Sequence, residues 1–191
     1  MRDKVWHVIK NIIFYLLVIL LGGYILVEAF LPSQTMNIFR FKSFVVVSAS
    51  MEPDINVNDL VIIVKVDPEK LEVGDAISFY TYLPTNQVDD EGDTIYLRSV
   101  VTHYLRDIQS SGDSLIYKTQ GAIADPLDYD EWNDINGDPV EITESDIIGK
   151  VALVIPFIGI IMKIFYNPIL LLLIAINILI VIVIIKVIKK K

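Results

Sequence analysis

The sequence predicts a mainly β domain held at a membrane by two transmembrane α-helices, one at each end. Two observations carry that prediction. Long apolar stretches, residues 12–31 and 169–185, lie near the two ends of the 191 residues. Between them, short Val- and Ile-rich runs alternate with Pro, Gly, Asn and Asp, a strand-and-turn pattern with little helical periodicity.

The first stretch contains one ionisable residue, Glu28, close to one end. Its length is about the 20 residues that a helix needs to cross a bilayer. The second contains Asn177 as its one strongly polar side chain and ends in Lys186, Lys189, Lys190 and Lys191. Arg2, Lys4 and Lys10 precede the first stretch. By the positive-inside rule both termini face the cytoplasm and the middle faces outward. The expected organisation is a cytoplasmic flank at 1–11, a first span at 12–31, an extracytoplasmic domain at 32–167, a second span at 168–188 and a basic tail at 189–191. The length of the first stretch favours a retained anchor over a cleaved leader.

Charge separates along the same lines. The chain holds 16 Lys and Arg against 24 Asp and Glu. Setting aside the seven flanking cations, Asp3 and Glu28 leaves nine against 22 in the middle, a net of −13. Such a domain repels nucleic acid and anionic lipid head groups. There are no cysteines, which excludes disulfides, a thiol nucleophile and Cys-ligated zinc.

Within the middle segment, 32–43 reads as a polar connector and 44–48 as a first strand. Further strands are expected at 60–66, 76–82, 95–105, 115–119 and 147–155. Asp67-Pro68-Glu69 and Ser110-Ser111-Gly112-Asp113 are turns. Residues 84–93 read as a polar loop, and 121–146 as an acidic excursion punctuated by Pro and Gly. Within it, Asp134-Ile135-Asn136-Gly137-Asp138 has some calcium-loop character but lacks the full pattern, with glycine at its sixth position. A solvated turn is the better reading.

The run Ser48-Ala49-Ser50-Met51-Glu52-Pro53 follows the apolar residues 44–47 directly. A serine at the end of a buried strand, before a Pro-terminated turn, can present its hydroxyl at the edge of a rigid sheet. A serine hydroxyl is a weak nucleophile at neutral pH and needs a base within hydrogen-bond reach. Of the two histidines, His7 lies in the cytoplasmic flank, leaving His103 for the domain. An imidazole is largely neutral near pH 7 and can accept a proton, whereas a lysine base must first be desolvated. Lys118 is the alternative base. A carboxylate that holds the imidazole tautomer strengthens such a base. Asp125, Asp128 and Asp130 are all available in the acidic excursion, and residue type does not choose among them. One histidine without cysteine also argues against a zinc hydrolase.

Five segments then occur in an order that resembles the type I signal peptidases, in the branch of the endoplasmic reticulum, archaea and sporulating Gram-positive bacteria. They are the Ser48–Pro53 run; Leu71-Glu72-Val73-Gly74-Asp75-Ala76-Ile77; Val101-Thr102-His103; Tyr117-Lys118-Thr119-Gln120-Gly121; and Ile148-Gly149-Lys150-Val151 with Ile155-Pro156-Phe157-Ile158-Gly159. The resemblance covers residues 44–160, nearly the whole middle domain. It implies a signal-peptidase-like β fold and a membrane-bound serine endopeptidase that removes leader peptides from exported preproteins, without a cofactor. Its partners would be preproteins and the lipid bilayer, and no nucleic acid.

By the same resemblance Ser50 is the nucleophile. His103 is the general base, at the position where bacterial housekeeping enzymes carry lysine. The Ser50 backbone N–H and the Ser48 hydroxyl would form the oxyanion hole. Two departures stand out. Tyr104 replaces the usual arginine after the histidine, and Ala122 stands where the family has aspartate. The second family aspartate falls on Asp128, which is therefore the expected orienting carboxylate, with Asp125 as the alternative. The departures leave a second reading beside the first: a catalytically weakened or inactive relative that acts as a two-span membrane binding protein.

Overall fold

A computed structural model describes residues 2–112, 114–123, 125 and 128–188. The first helix, α1 (Arg2–Phe30), is 29 residues long, or about 43 Å at the α-helical rise. It is long and apolar enough to cross a membrane. Most of its side chains between Val5 and Leu21 are exposed and apolar, which suits a lipid surround. The helix starts well before residue 12, because Arg and Lys are themselves good helix formers.

The end of α1 that meets the β domain is docked. Tyr24 stacks on Phe41 at 5.2 Å, and its hydroxyl lies 3.1 Å from Ser43 Oγ. Glu28 Oε1 pairs with Lys42 Nζ at 3.2 Å, and Lys42 also donates to the Pro32 carbonyl at 2.9 Å. The one carboxylate in the apolar stretch is thus neutralised by a partner 14 positions downstream, which its local sequence does not reveal.

The residues expected as a connector are ordered. A short helix, α2 (Thr35–Phe39), leads into β1 (Phe41–Val45). The remaining strands are β2 (Leu60–Val64), β3 (Ala76–Val88), β4 (Thr94–Ser111), β5 (Ser114–Gln120), β6 (Trp132–Asn133), β7 (Pro139–Val140) and β8 (Ile147–Ile155). All pairings are antiparallel. The main path runs β1-β2-β8-β3-β4-β5, with the small β6–β7 ribbon attached to β3. β1 begins three residues earlier than the apolar run suggests, because Phe41, Lys42 and Ser43 pair with Val64, Ile63 and Ile62. β3 and β4 also run on through the polar residues taken for a loop at 84–93. There Pro84 faces Tyr96, Val88 faces Thr94 and the register slips between them. Both faces of this arm are largely exposed, so it lacks the alternation that marks a half-buried strand.

Two apolar clusters hold the sheet. One gathers Leu71, Ile77, Phe79, Leu105, Tyr117 and Ile142. The other gathers Met51, Ile55 and Val61, with Phe44, Val151 and Val154 packed on it. The sheet is tied across its middle by Asp75, whose carboxylate lies 2.5 Å from Lys150 Nζ. At Gly149 a Cβ would run into the Val64 carbonyl, so only glycine allows β8 to approach β2 there. Two of the resemblance segments, around Asp75 and around Gly149-Lys150, thus serve the scaffold. After β8 come α3 (Ile158–Tyr166) and α4 (Pro168–Ile188). Before Lys186 the α4 sequence is apolar except for Asn177, whose Nδ2 donates to the Leu173 carbonyl at 2.8 Å.

Candidate active site

Ser50 lies in the turn between β1 and β2, with Ser48 and Ala49 exposed beside it. The turn is seated by its neighbours. Met51 is 3% exposed and belongs to the second apolar cluster. The Ile55 N–H donates to the Met51 carbonyl at 2.9 Å, and Glu52 N–H to Ala49 at 3.1 Å. Buried Asp59 closes the loop by accepting from Asn56 N–H at 2.9 Å and from Phe157 N–H at 3.2 Å. An exposed serine is thus carried on a turn pinned into the core one residue later. Ser48 Oγ and Ser50 Oγ are 3.4 Å apart.

His103 lies on β4, opposite Ile77 of β3, and is 7% exposed. β4 pairs with β3 over its first half and with β5 from Tyr104 onward, so the histidine sits where the strand passes from one partner to the other. Its Nδ1 lies 2.7 Å from Asp130 Oδ2. Against an ionised carboxylate Nδ1 carries the hydrogen, and in the neutral ring Nε2 is then left as the acceptor.

The orienting-carboxylate expectation is corrected here. Asp130, not Asp128 or Asp125, meets the imidazole. Asp128 is exposed and contributes its backbone: its N–H donates to the Asp125 carbonyl at 2.9 Å, and its carbonyl accepts from Gln120 Nε2 at 2.8 Å. Gln120 Nε2 also donates to the Asp125 carbonyl. The acidic excursion folds back on β5 through these carbonyls, and the Asp130 N–H donates to the Thr119 carbonyl at 2.9 Å. That folding, rather than spacing along the chain, selects Asp130. The alternative base is accounted for as well. Lys118 Nζ is held by both oxygens of Glu141, at 2.7 and 2.6 Å.

The two halves meet at Gly121. A Cβ on this residue would fall 2.7 Å from the Ser50 carbonyl oxygen and 3.9 Å from His103 Cε1. The Ser50 backbone and the edge of the imidazole therefore both lie within 4 Å of one point. The Ala122 N–H donates to the Ser50 carbonyl at 2.9 Å. Position 122, where the sequence resemblance leads one to expect aspartate, thus bonds through its backbone, which alanine supplies equally well. Tyr104 also bridges the halves: its hydroxyl donates to Asp54 Oδ2 at 2.9 Å. Burial, reinforced by the Asp54 hydrogen bond and charge, raises the pKa of this phenol above its ordinary value, so it stays a donor near neutral pH.

Beside Ser50 runs an apolar groove of about 230 Å³, lined among others by Val46, Ser48, Met51, Val61, Leu83 and Val101. Elsewhere, Asp134 Oδ1 accepts from Asn136 N–H and Asp138 N–H at 2.8 and 3.0 Å. The segment with calcium-loop character is a turn that satisfies its own carboxylate. No group of three or more metal-ligating side chains occurs among the described residues. Thr119 and Gln120 lie in one of the five resemblance segments, but their residue types give no sign that Thr119 meets Asp130 or that Gln120 holds the excursion by its carbonyls; Trp132, bonded to Thr119, carries no such signal.

No family model matches the chain, and neither curated proteins nor solved structures give a significant match.

Proposed function

We propose that this chain is a membrane-anchored serine endopeptidase that removes leader peptides from exported preproteins. The observation that carries the reading is the convergence on Gly121 of an exposed serine turn and a buried imidazole bonded to a carboxylate. The order of the five sequence segments supports the same reading.

In the proposed mechanism, His103 Nε2 takes the proton of Ser50 Oγ as that oxygen attacks the scissile carbonyl. Asp130 keeps the hydrogen on Nδ1 and stabilises the imidazolium that forms. The Ser50 N–H and the Ser48 hydroxyl stabilise the tetrahedral oxyanion. His103 then protonates the leaving amine. In the second half His103 takes a proton from water as it attacks the acyl-enzyme ester, and returns it to Ser50 Oγ as the leader's new carboxyl end departs. An extended peptide pairs with a sheet edge and fills the apolar groove with small side chains. The anchors, α1 and in this reading α4 as a second span, keep the catalytic domain outside with both termini in the cytoplasm. They raise the effective concentration of cleavage sites at the membrane surface. Ala122 gives no support to the alternative of a non-catalytic binding protein, because a carboxylate reaches His103 from elsewhere.

The test is processing of a fluorogenic leader peptide by the full chain in detergent, with Ser50→Ala and His103→Ala as variants. Each variant should lose activity by up to the order of 10⁶. Normal processing by either variant overturns the proposal.

A further inference from the structure

We infer that Thr119 and Trp132 are positioning residues that fix the tautomer of His103 through Asp130. The inference rests on the peptidase reading for its purpose, but its geometry stands by itself. Asp130 Oδ2 accepts from His103 Nδ1 at 2.7 Å and from Thr119 Oγ1 at 2.9 Å. Thr119 Oγ1 in turn lies 2.9 Å from Trp132 Nε1. An indole N–H can only donate, so the threonine oxygen accepts from Trp132 and turns its own hydrogen to Asp130. The direction of the whole chain is thereby set: Trp132 to Thr119, Thr119 to Asp130, and His103 to Asp130.

Thr119 holds Asp130 twice. Its carbonyl accepts the Asp130 N–H at 2.9 Å, while its hydroxyl donates to the side chain. Both ends of the aspartate are therefore referenced to β5, although Asp130 itself lies outside any strand. Trp132 is fixed by an edge contact with buried Phe79 at 5.2 Å, and its ring lies 5.5 Å from the imidazole at a tilt of 58°. Thr119 is fully buried. In such surroundings hydrogen bonds are stronger than in water and an unmade one is costly. Without the Thr119 hydroxyl, the carboxylate loses one of two donors on the same oxygen and can turn away from Nδ1. The imidazole hydrogen is then free to move to Nε2, and that tautomer cannot take the serine proton.

The experiment uses the full chain in detergent, with ¹⁵N-labelled histidine and His7→Gln so that one ring is observed. At a pH where the ring is neutral, the wild-type spectrum should show hydrogen on Nδ1 and a bare Nε2. Thr119→Val should give mixed tautomers and a kcat about 10-fold lower, with KM little changed, as expected for one lost hydrogen bond to a charged group. Thr119→Ser should restore both readouts. Trp132→Phe, which keeps the ring contact and removes the N–H, should move both in the same direction by less. A wild-type ring spectrum in T119V and W132F overturns the inference. The two readings fail separately: an active Ser50→Ala enzyme sinks the peptidase, and an unmoved tautomer sinks the positioning role.

Discussion

Ser50 and His103 reach Gly121 from opposite surroundings. Ser50 is exposed on a turn, and its hydroxyl lies 3.4 Å from the Ser48 hydroxyl. His103 is almost fully buried, and the aspartate it meets accepts from two side chains at once. The difference matches what the proposed mechanism asks of each group. An attacking hydroxyl must be open to a substrate. A base must already hold its hydrogen on the correct nitrogen, and that is set most firmly away from water. The rigidity of the serine comes from backbone anchoring at Met51 and Asp59, whereas that of the histidine comes from side-chain hydrogen bonds.

The sharpest way to break this contrast is to change the carboxylate without changing its shape. Asp130→Asn keeps the volume but can offer an amide N–H to Nδ1, which favours the wrong tautomer. The loss in kcat should be on the order of 10⁴. Asp128→Asn, on an exposed side chain, should stay within about two-fold, as surface substitutions usually do. Steady-state cleavage by the two variants decides between the carboxylate that the sequence resemblance suggests and the one that the fold brings to the imidazole.

A smaller effect comes from the point of contact itself. Gly121→Ala would put a methyl group 2.7 Å from the Ser50 carbonyl oxygen, and that neighbour is backbone, which yields only if the turn moves. Overpacking of this kind costs about 1–3 kcal/mol of stability. A displacement of about 1 Å between reacting groups can cost about 10²-fold in rate. Thermal melts and kcat measured together should show a modest fall in stability and a much larger fall in rate. Equal losses in both would mean that the turn is not the element displaced.

Much of the scaffold is legible in the sequence, and less of the site. β8 is found at its predicted bounds, since 147–155 is a dense apolar run with Pro156 after it. The cores of β2, β3, β4 and β5 are likewise marked by Val, Ile and aromatic residues. The polar arm of β3 and β4 is not, because backbone pairing holds it without an apolar face. Ser50 and His103 stand out as candidates by residue type: the serine by its turn, the histidine by being alone in its domain. Asp130 does not stand out. It is one of several acids in a segment whose path is set by Gln120 and Thr119, and the bonds those two side chains make show only once the excursion is seen folded against them. Glu28 is a similar case, since its partner Lys42 lies beyond a turn and a short helix.

The smallest effect concerns a bond that joins the two surroundings. Tyr104, next to His103, donates to Asp54, four residues after Ser50. Its pKa is raised by burial first, then by the Asp54 hydrogen bond and charge. The pKa of Tyr117, buried in the first cluster, is raised by burial and then by the charge of Glu144. A raised phenol pKa means that the folded state holds its proton more tightly than the unfolded chain. The associated stability is fully present below the ordinary value of about 10 and is lost as pH rises through the raised folded values. Melting temperatures should therefore hold on the neutral side of about pH 10 and fall above it. Tyr104→Phe should remove part of that fall and reduce cleavage near pH 7 by less than about ten-fold, the size of one ordinary hydrogen bond. Tyr117→Phe should remove another part and leave cleavage unchanged, because its hydroxyl has no hydrogen-bond partner among the described residues and lies in the core away from Gly121. If the two variants altered cleavage equally, the Tyr104–Asp54 bond would have no special share in holding the serine turn to the histidine strand.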